Sequence, residues 1–147
     1  GAAGLGIVRL LRAHGCGRVL GTDRAPAALE RLRALGGEPS TLEGIMASCD
    51  VVIATTGVKG LIRPDLVRRG QIILALSNPD PEIQPTVALE RGAAFAADGR
   101  GINNVLGFPG LFKGALEARA TAFTDAMLMA AAHRIAELAP AEQLVPD

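Results

Sequence analysis

The sequence predicts an α/β protein with a doubly wound parallel sheet. Three observations carry that expectation. Short runs of Val, Ile, Leu and Ala, of the kind buried on both faces of a sheet, alternate with longer stretches whose apolar residues recur at helical spacing. A glycine pair, Gly1 and Gly4, stands directly ahead of the first helical stretch. An acid, Asp23, closes the first apolar run.

The elements follow in order. Apolar residues at helical spacing predict a helix over 7–14, which Gly15 ends. No G-x-G-x-x-G is complete within the chain, because the frame that starts at Gly4 puts Arg9 in its third slot. Two further residues, G-x, ahead of Gly1 would complete it, with Gly1 second and Gly4 third. In that frame Gly1 lets the backbone approach a pyrophosphate, Gly4 permits close helix–strand packing, and the helix N-terminus faces the phosphates. Residues 18–23 read as a short buried strand. Asp23 lies 19 residues after Gly4, where such folds place a carboxylate on a ribose hydroxyl pair. The plainer alternative, a glycine-rich helix start with a solvated Asp, accounts for neither the spacing nor the order.

A helix is expected over 26–35, with Pro26 in its first turn and Gly36-Gly37 at its end. A shorter one is expected over 41–48. Strands follow over 50–54 and 71–76. The first ends in Thr55-Thr56-Gly57, and Thr56 and Gly57 are candidates to line a cofactor cleft, because ligands of open α/β sheets bind beyond the carboxyl ends of strands. An ordinary strand-to-helix turn is the competing reading. The second strand ends in Ser77-Asn78-Pro79-Asp80-Pro81-Glu82, where two prolines hold the loop and present Asn78. One or two helical turns over 64–69, a helix over 86–91 and a strand over 93–96 come next, then helices over 111–119 and 124–138. Between them, Asn103 and Asn104 offer two carboxamides beside a turn built from Gly107, Pro109 and Gly110. The first strand of this topology, which belongs at the sheet centre, is lacking. The resulting unpaired edges predict that the chain is not a stable soluble unit by itself.

Composition narrows the function classes. The 147 residues suit a single domain, 1–147, with an aliphatic core, since hydrophobic residues make up 49% and Trp and Tyr are absent. Fifteen basic and 15 acidic residues balance, which favours neither nucleic acid nor an anionic membrane surface. Cys16 and Cys49 lack metal-ligand spacing and read as small buried thiols. His14 and His133 read as surface or packing residues, and Met127 and Met129 as core filling. With no span-length apolar run and no visible signal segment, a cytoplasmic location is the expectation.

Taken together, the motifs resemble the NAD(P)-binding domain of malic enzymes from residue 1 to about 138, as an N-terminally truncated piece. The residues that carry the likeness are Gly1-Ala2-Ala3-Gly4, Asp23-Arg24, Ala75-Leu76-Ser77-Asn78-Pro79 and Asn103-Asn104-Val105-Leu106-Gly107-Phe108-Pro109-Gly110. The last, continued by Leu111-Phe112-Lys113-Gly114-Ala115-Leu116, is the most specific. The resemblance implies a Rossmann-type domain in which Gly1 and Gly4 meet the dinucleotide phosphates and Asp23 meets the adenine ribose. Asn78 would lie near nicotinamide and substrate, and Asn103 and Asn104 would bind malate and the nicotinamide ribose or amide. It also implies oxidation of malate by hydride transfer to NAD(P)+ and decarboxylation to pyruvate and CO2 with Mg2+ or Mn2+. A homo-oligomer is implied by the family alone.

Departures from the family pattern are equally specific. The family's catalytic Tyr and Lys and its carboxylate metal ligands lie upstream of the glycine motif, so the resemblance assigns no catalytic or metal-binding residue to this chain. The segment 98–102 is shorter than usual, and Lys113 stands where the family has Arg. Asp23 favours NAD by repelling a 2′-phosphate, whereas Arg24 could accept one, so NAD is expected and NADP is possible. Two other readings stay open: a nucleotide-binding module without chemistry, and another NAD(P)-dependent dehydrogenase, which leaves the Asn103–Gly110 motif unexplained.

Overall fold

The computed structural model describes residues 1–102, 107–140 and 145–146. The chain forms two compact units, Gly1–Gly101 and Ile102–Asp147.

The first unit opens with α1 (Ala2–Ala13), followed by β1 (Leu20–Gly21), α2 (Pro26–Ala34), β2 (Glu38–Pro39) and α3 (Leu42–Ser48). It continues through β3 (Val51–Ala54), a single 3-10 turn at Pro64–Leu66, β4 (Ile72–Ala75), α4 (Pro85–Glu90) and β5 (Phe95–Asp98). All the strand pairs are parallel: β1 with β2, and β3 with β4 and then β5. Strands and helices alternate as expected, and the architecture is α/β with parallel sheets.

The apolar composition of β3 and β4 accounts for their place in the core. Val52 and Ala54 on one strand and Ile73 and Ala75 on the next are buried, together with Met46 of α3 and Ala88 of α4. Sequence pairing aligns the strand ends: Ala54 stands beside Ala75, and Ala75 beside Asp98. The loops that leave β3, β4 and β5 therefore emerge side by side on one edge of the sheet.

The two sheets do not pair with each other. β1 has β2 on one side and β3 has β4, and each leaves its other edge free of strand partners among the described residues. A cavity of about 570 Å³ lies there, lined by Leu20 of β1, Val52 and Ile53 of β3, and Leu5, Val8 and Leu11 of α1.

Several element boundaries differ from the sequence expectation. Helix α1 starts at Ala2 rather than residue 7, so Gly4 and Gly6 are helical. The expected strand over 18–23 shortens to Leu20–Gly21. β2 carries no sequence signal; it forms because the Glu38 N–H donates to the Val19 carbonyl and the Ser40 N–H to the Gly21 carbonyl, each at 2.9 Å. β5 runs over Phe95–Asp98, two residues beyond the expected strand, because its register is set by pairing with β4. Cys16 and Cys49 are half-buried rather than fully enclosed.

The second unit contains α5 (Phe108–Glu117) and α6 (Asp125–Leu138), packed on each other. Helix α5 starts three residues before the expected point, because Pro109 fits its first turn and the segment expected to be a rigid turn is already helical. Phe112 contacts Phe108 and Phe123, with ring centroids 4.8 and 5.0 Å apart. Thr124 caps α6, its hydroxyl accepting from the Met127 N–H at 3.2 Å. Met127 and Met129 on that helix are half-buried. Among the described residues no helix is long and apolar enough to cross a membrane.

Candidate functional site

The carboxyl ends of the strands gather most of the residues singled out from the sequence. Asp23 follows β1, and its Oδ2 accepts from the Gly1 nitrogen, so the glycine start of α1 and the acid meet. Asp23 Oδ1 also accepts from the Ala25 N–H at 2.9 Å. The Ala25 N–H holds the Asp23 carboxyl below the usual aspartate range. A Cβ at Gly1 would meet no atom within 4 Å, which leaves open space beside the start of α1. At Gly4 an added Cβ would sit 3.4 Å from Thr55 Oγ1, an ordinary contact. Helix and strand are thus neighbours at this point, without the crowding that would make glycine obligatory.

Gly1, Gly4, Asp23, Arg24 and Thr56 all border the cavity between β1 and β3. Its interior is apolar and these residues form the rim at the carboxyl end of the strands. Gly57, with φ +72°, stands next to Thr56 in the loop after β3. Thr56, Gly57 and Asn78 are exposed. Asn78 follows β4 and lies outside the cavity lining; its neighbour is Gly99 after β5. Asn103 and Asn104 lie outside the described residues.

Three residues that were given no role from the sequence, Glu82, Ser77 and Gly99, shape this edge. Glu82 is fully buried. Its Oε1 accepts from the Thr56 N–H at 2.6 Å, the Thr56 hydroxyl at 2.8 Å and the Ser77 hydroxyl at 2.6 Å. Burial alone would push this carboxyl up, but the bonds from Ser77 and Thr56 outweigh it and hold the group below its ordinary value. Ser77 is also buried, and its Oγ accepts from the Gly57 N–H at 2.8 Å. Gly99 admits no side chain: a Cβ there would lie 2.5 Å from the Leu76 carbonyl oxygen. One signal for Glu82 was available, an acid directly ahead of the apolar Ile83, but its partner Thr56 is 26 residues away in sequence.

Comparisons with known proteins identify the family of the chain. Residues 85–146 match the family model described as malic enzyme, NAD binding domain. The whole chain aligns with NAD-dependent malic enzyme 1 of Bacillus subtilis at 55% identity and spans 34% of that protein. At 42% identity, 70% of the chain aligns with 15% of the NADP-dependent malic enzyme of Escherichia coli. Among solved structures, malic enzyme from Entamoeba histolytica superposes with a TM-score of 0.81 at 25% identity, over 97% of this chain and 36% of that one. The chain thus spans about a third of the length of the first of these curated relatives. A match over the full chain, the parallel α/β architecture and the family model meet on one assignment: this chain belongs to the malic enzyme family, and its residues 85–146 match that family's NAD binding domain.

Proposed function

We propose that the chain is the cofactor-binding part of an enzyme that oxidises malate and decarboxylates the product to pyruvate and CO2 while reducing NAD(P)+. The observation that carries this reading is the convergence of Gly1, Gly4, Asp23 and Thr56 on one rim at the carboxyl ends of the strands. In this reading residues 1–147 act as one NAD(P)-binding domain.

The residues present suit a dinucleotide. The first turn of α1 offers free backbone N–H groups toward the open space beside Gly1, which is the chemistry a phosphate needs. The Asp23 carboxylate accepts from a ribose hydroxyl pair, and the exposed Arg24 guanidinium is placed to meet a 2′-phosphate. NAD is the preferred cofactor in this reading and NADP the alternative. Thr56 and Gly57 line the path between the phosphates and the nicotinamide, and Asn78 with Asn103 orients the nicotinamide end. Asn78, Asn103 and Asn104 donate to the carboxylates of malate. The bound cofactor supplies the acceptor for the hydride that leaves malate C2. Mg2+ or Mn2+ is assigned to ligands outside this chain, as are the acid and base of the reaction. A homo-oligomer working in the cytoplasm, without nucleic acid or membrane partners, completes the reading.

The test is a spectrophotometric assay on the intact polypeptide that carries this chain. Reduction of NAD(P)+ that requires both malate and a divalent metal supports the reading. Nucleotide binding without malate-dependent reduction would replace it with a non-catalytic binding module.

A further inference from the structure

Beneath the exposed rim lies a buried carboxylate that nothing in the proposed chemistry uses. Glu82 is 0% exposed, and an ionised acid in such a place needs donors to offset the lost water. It finds them in two loops. From the loop after β3 come the Thr56 N–H and the Thr56 hydroxyl, at 2.6 and 2.8 Å. From the end of β4 come the Ser77 hydroxyl at 2.6 Å and, on Oε2, the Ser77 N–H at 3.4 Å.

The network extends one bond further on each side. Ser77 Oγ, which donates its hydroxyl hydrogen bond to Glu82, accepts from the Gly57 N–H at 2.8 Å. Thr56 Oγ1, which donates to Glu82 in the same way, accepts from the Val58 N–H at 3.2 Å. The backbone of Glu82 is itself anchored, its carbonyl accepting from the Ile62 N–H at 3.0 Å. Both hydroxyl protons thus point at one carboxylate, and the backbones of both loops hang from it. The outer faces of the same loops, Thr56, Gly57 and Asn78, are exposed.

We infer that Glu82 is a positioning residue for the cofactor site, tying the loop after β3 to the loop after β4 from below so that Thr56, Gly57 and Asn78 face the dinucleotide at a fixed spacing. This rests on the reading that the dinucleotide binds across these strand ends. Chemistry singles out a carboxylate for the role, because it accepts on every lone pair and donates nothing, whereas a carboxamide in its place turns an NH2 toward the Ser77 N–H. Fixing the loops before the ligand arrives removes an ordering cost from binding, so loss of the tie is read as weaker affinity.

The experiment compares wild type, Glu82→Gln and Ser77→Ala in the intact polypeptide, with NAD+ and NADP+ titrated calorimetrically well below the melting temperature of each variant. Amide hydrogen exchange at Thr56 and Gly57 is followed in parallel. The expected result is a Kd about tenfold weaker for Glu82→Gln and a smaller loss for Ser77→Ala, with faster exchange at both amides. A Kd equal to wild type in folded Glu82→Gln, with only the melting temperature lowered, overturns the inference and leaves a structural acid. If Glu82→Gln does not fold, Ser77→Ala decides alone: unchanged affinity with faster Gly57 exchange overturns it. Failure of the wild type to bind either cofactor overturns the cofactor reading first, and this inference with it.

Discussion

Gly99 is packed against Asn78 so closely that a methyl group on Gly99 would lie 2.6 Å from Asn78 Nδ2 and 2.5 Å from the Leu76 carbonyl oxygen. The segment leaving β5 and the loop leaving β4 are thereby pressed together at the edge where the cofactor is proposed to bind. Gly99→Ala must separate them. The expected cost is about 1–3 kcal/mol of stability, as for an overpacked interior, measured by urea unfolding. Asn78 should move with it, so cofactor affinity should fall more than for Gly101→Ala, whose added Cβ meets its nearest atom at 3.7 Å.

Glu82 makes stability depend on acid. Its carboxyl titrates below its ordinary value of 4.5 when folded, so its contribution is fully present above that value and disappears as pH falls through the folded pKa. Glu82→Gln should cost about 2 kcal/mol at neutral pH, the scale of hydrogen bonds to a buried charge. The gap between wild type and variant should begin to narrow as pH falls below about 4.5 and go on narrowing through the lower folded pKa. Parallel pH profiles from pH 7 to 3 would contradict this assignment.

Asp23 is expected to hold the adenine ribose. Asp23→Ala should weaken NAD+ binding by about tenfold or more, from the loss of charge-assisted bonds, and should narrow the preference for NAD+ over NADP+ through Arg24. Fluorescence titration with each cofactor reads both effects. Unchanged NAD+ affinity removes Asp23 from the site.

Thr124 serves as a control on the structure outside the first unit. Thr124→Ala removes the acceptor for the Met127 N–H and should lower stability by about 1 kcal/mol, with Thr124→Ser close to wild type. Thermal melting followed by circular dichroism measures it.

Asn104 is proposed to bind malate, from the motif it belongs to. In the intact enzyme Asn104→Ala should raise the KM for malate by about tenfold, the scale of losing bonds to a charged carboxylate, while the Kd for the nucleotide changes little. Equal losses for both ligands would move Asn104 to the cofactor.

Local pattern made most of the elements legible. Apolar periodicity, Pro26 in a first turn and Gly15 and Gly36 past helix ends mark α1 and α2, because these signals depend only on neighbouring residues. The same holds for β3 and β4, whose apolar runs do form strands, although only Val52, Ala54, Ile73 and Ala75 are buried and Val51 is exposed, so one face is enclosed rather than two. Gly1, Asp23 and Thr56 could be singled out because they stand beside the ends of elements, whereas Gly4 lies within α1, whose start the pattern placed at residue 7.

What pattern could not supply was everything set by long-range pairing. Glu38–Pro39 has no alternation and becomes β2 only because Val19 and Gly21 offer carbonyls to it. β5 takes its register from β4 rather than from its own hydrophobicity. Glu82 looks like a surface acid until Thr56, 26 residues away, and Ser77 converge on it and make burial of its charge tolerable. Gly99 looks like one glycine among many until the Leu76 carbonyl arrives beside it. Residue order, through short-range sterics and amphipathic spacing, specifies which segments are helix or strand and which acids and glycines stand at their ends. Only the folded chain decides which backbone groups and charges from distant segments must satisfy one another, because that depends on who is near in space once water has been excluded.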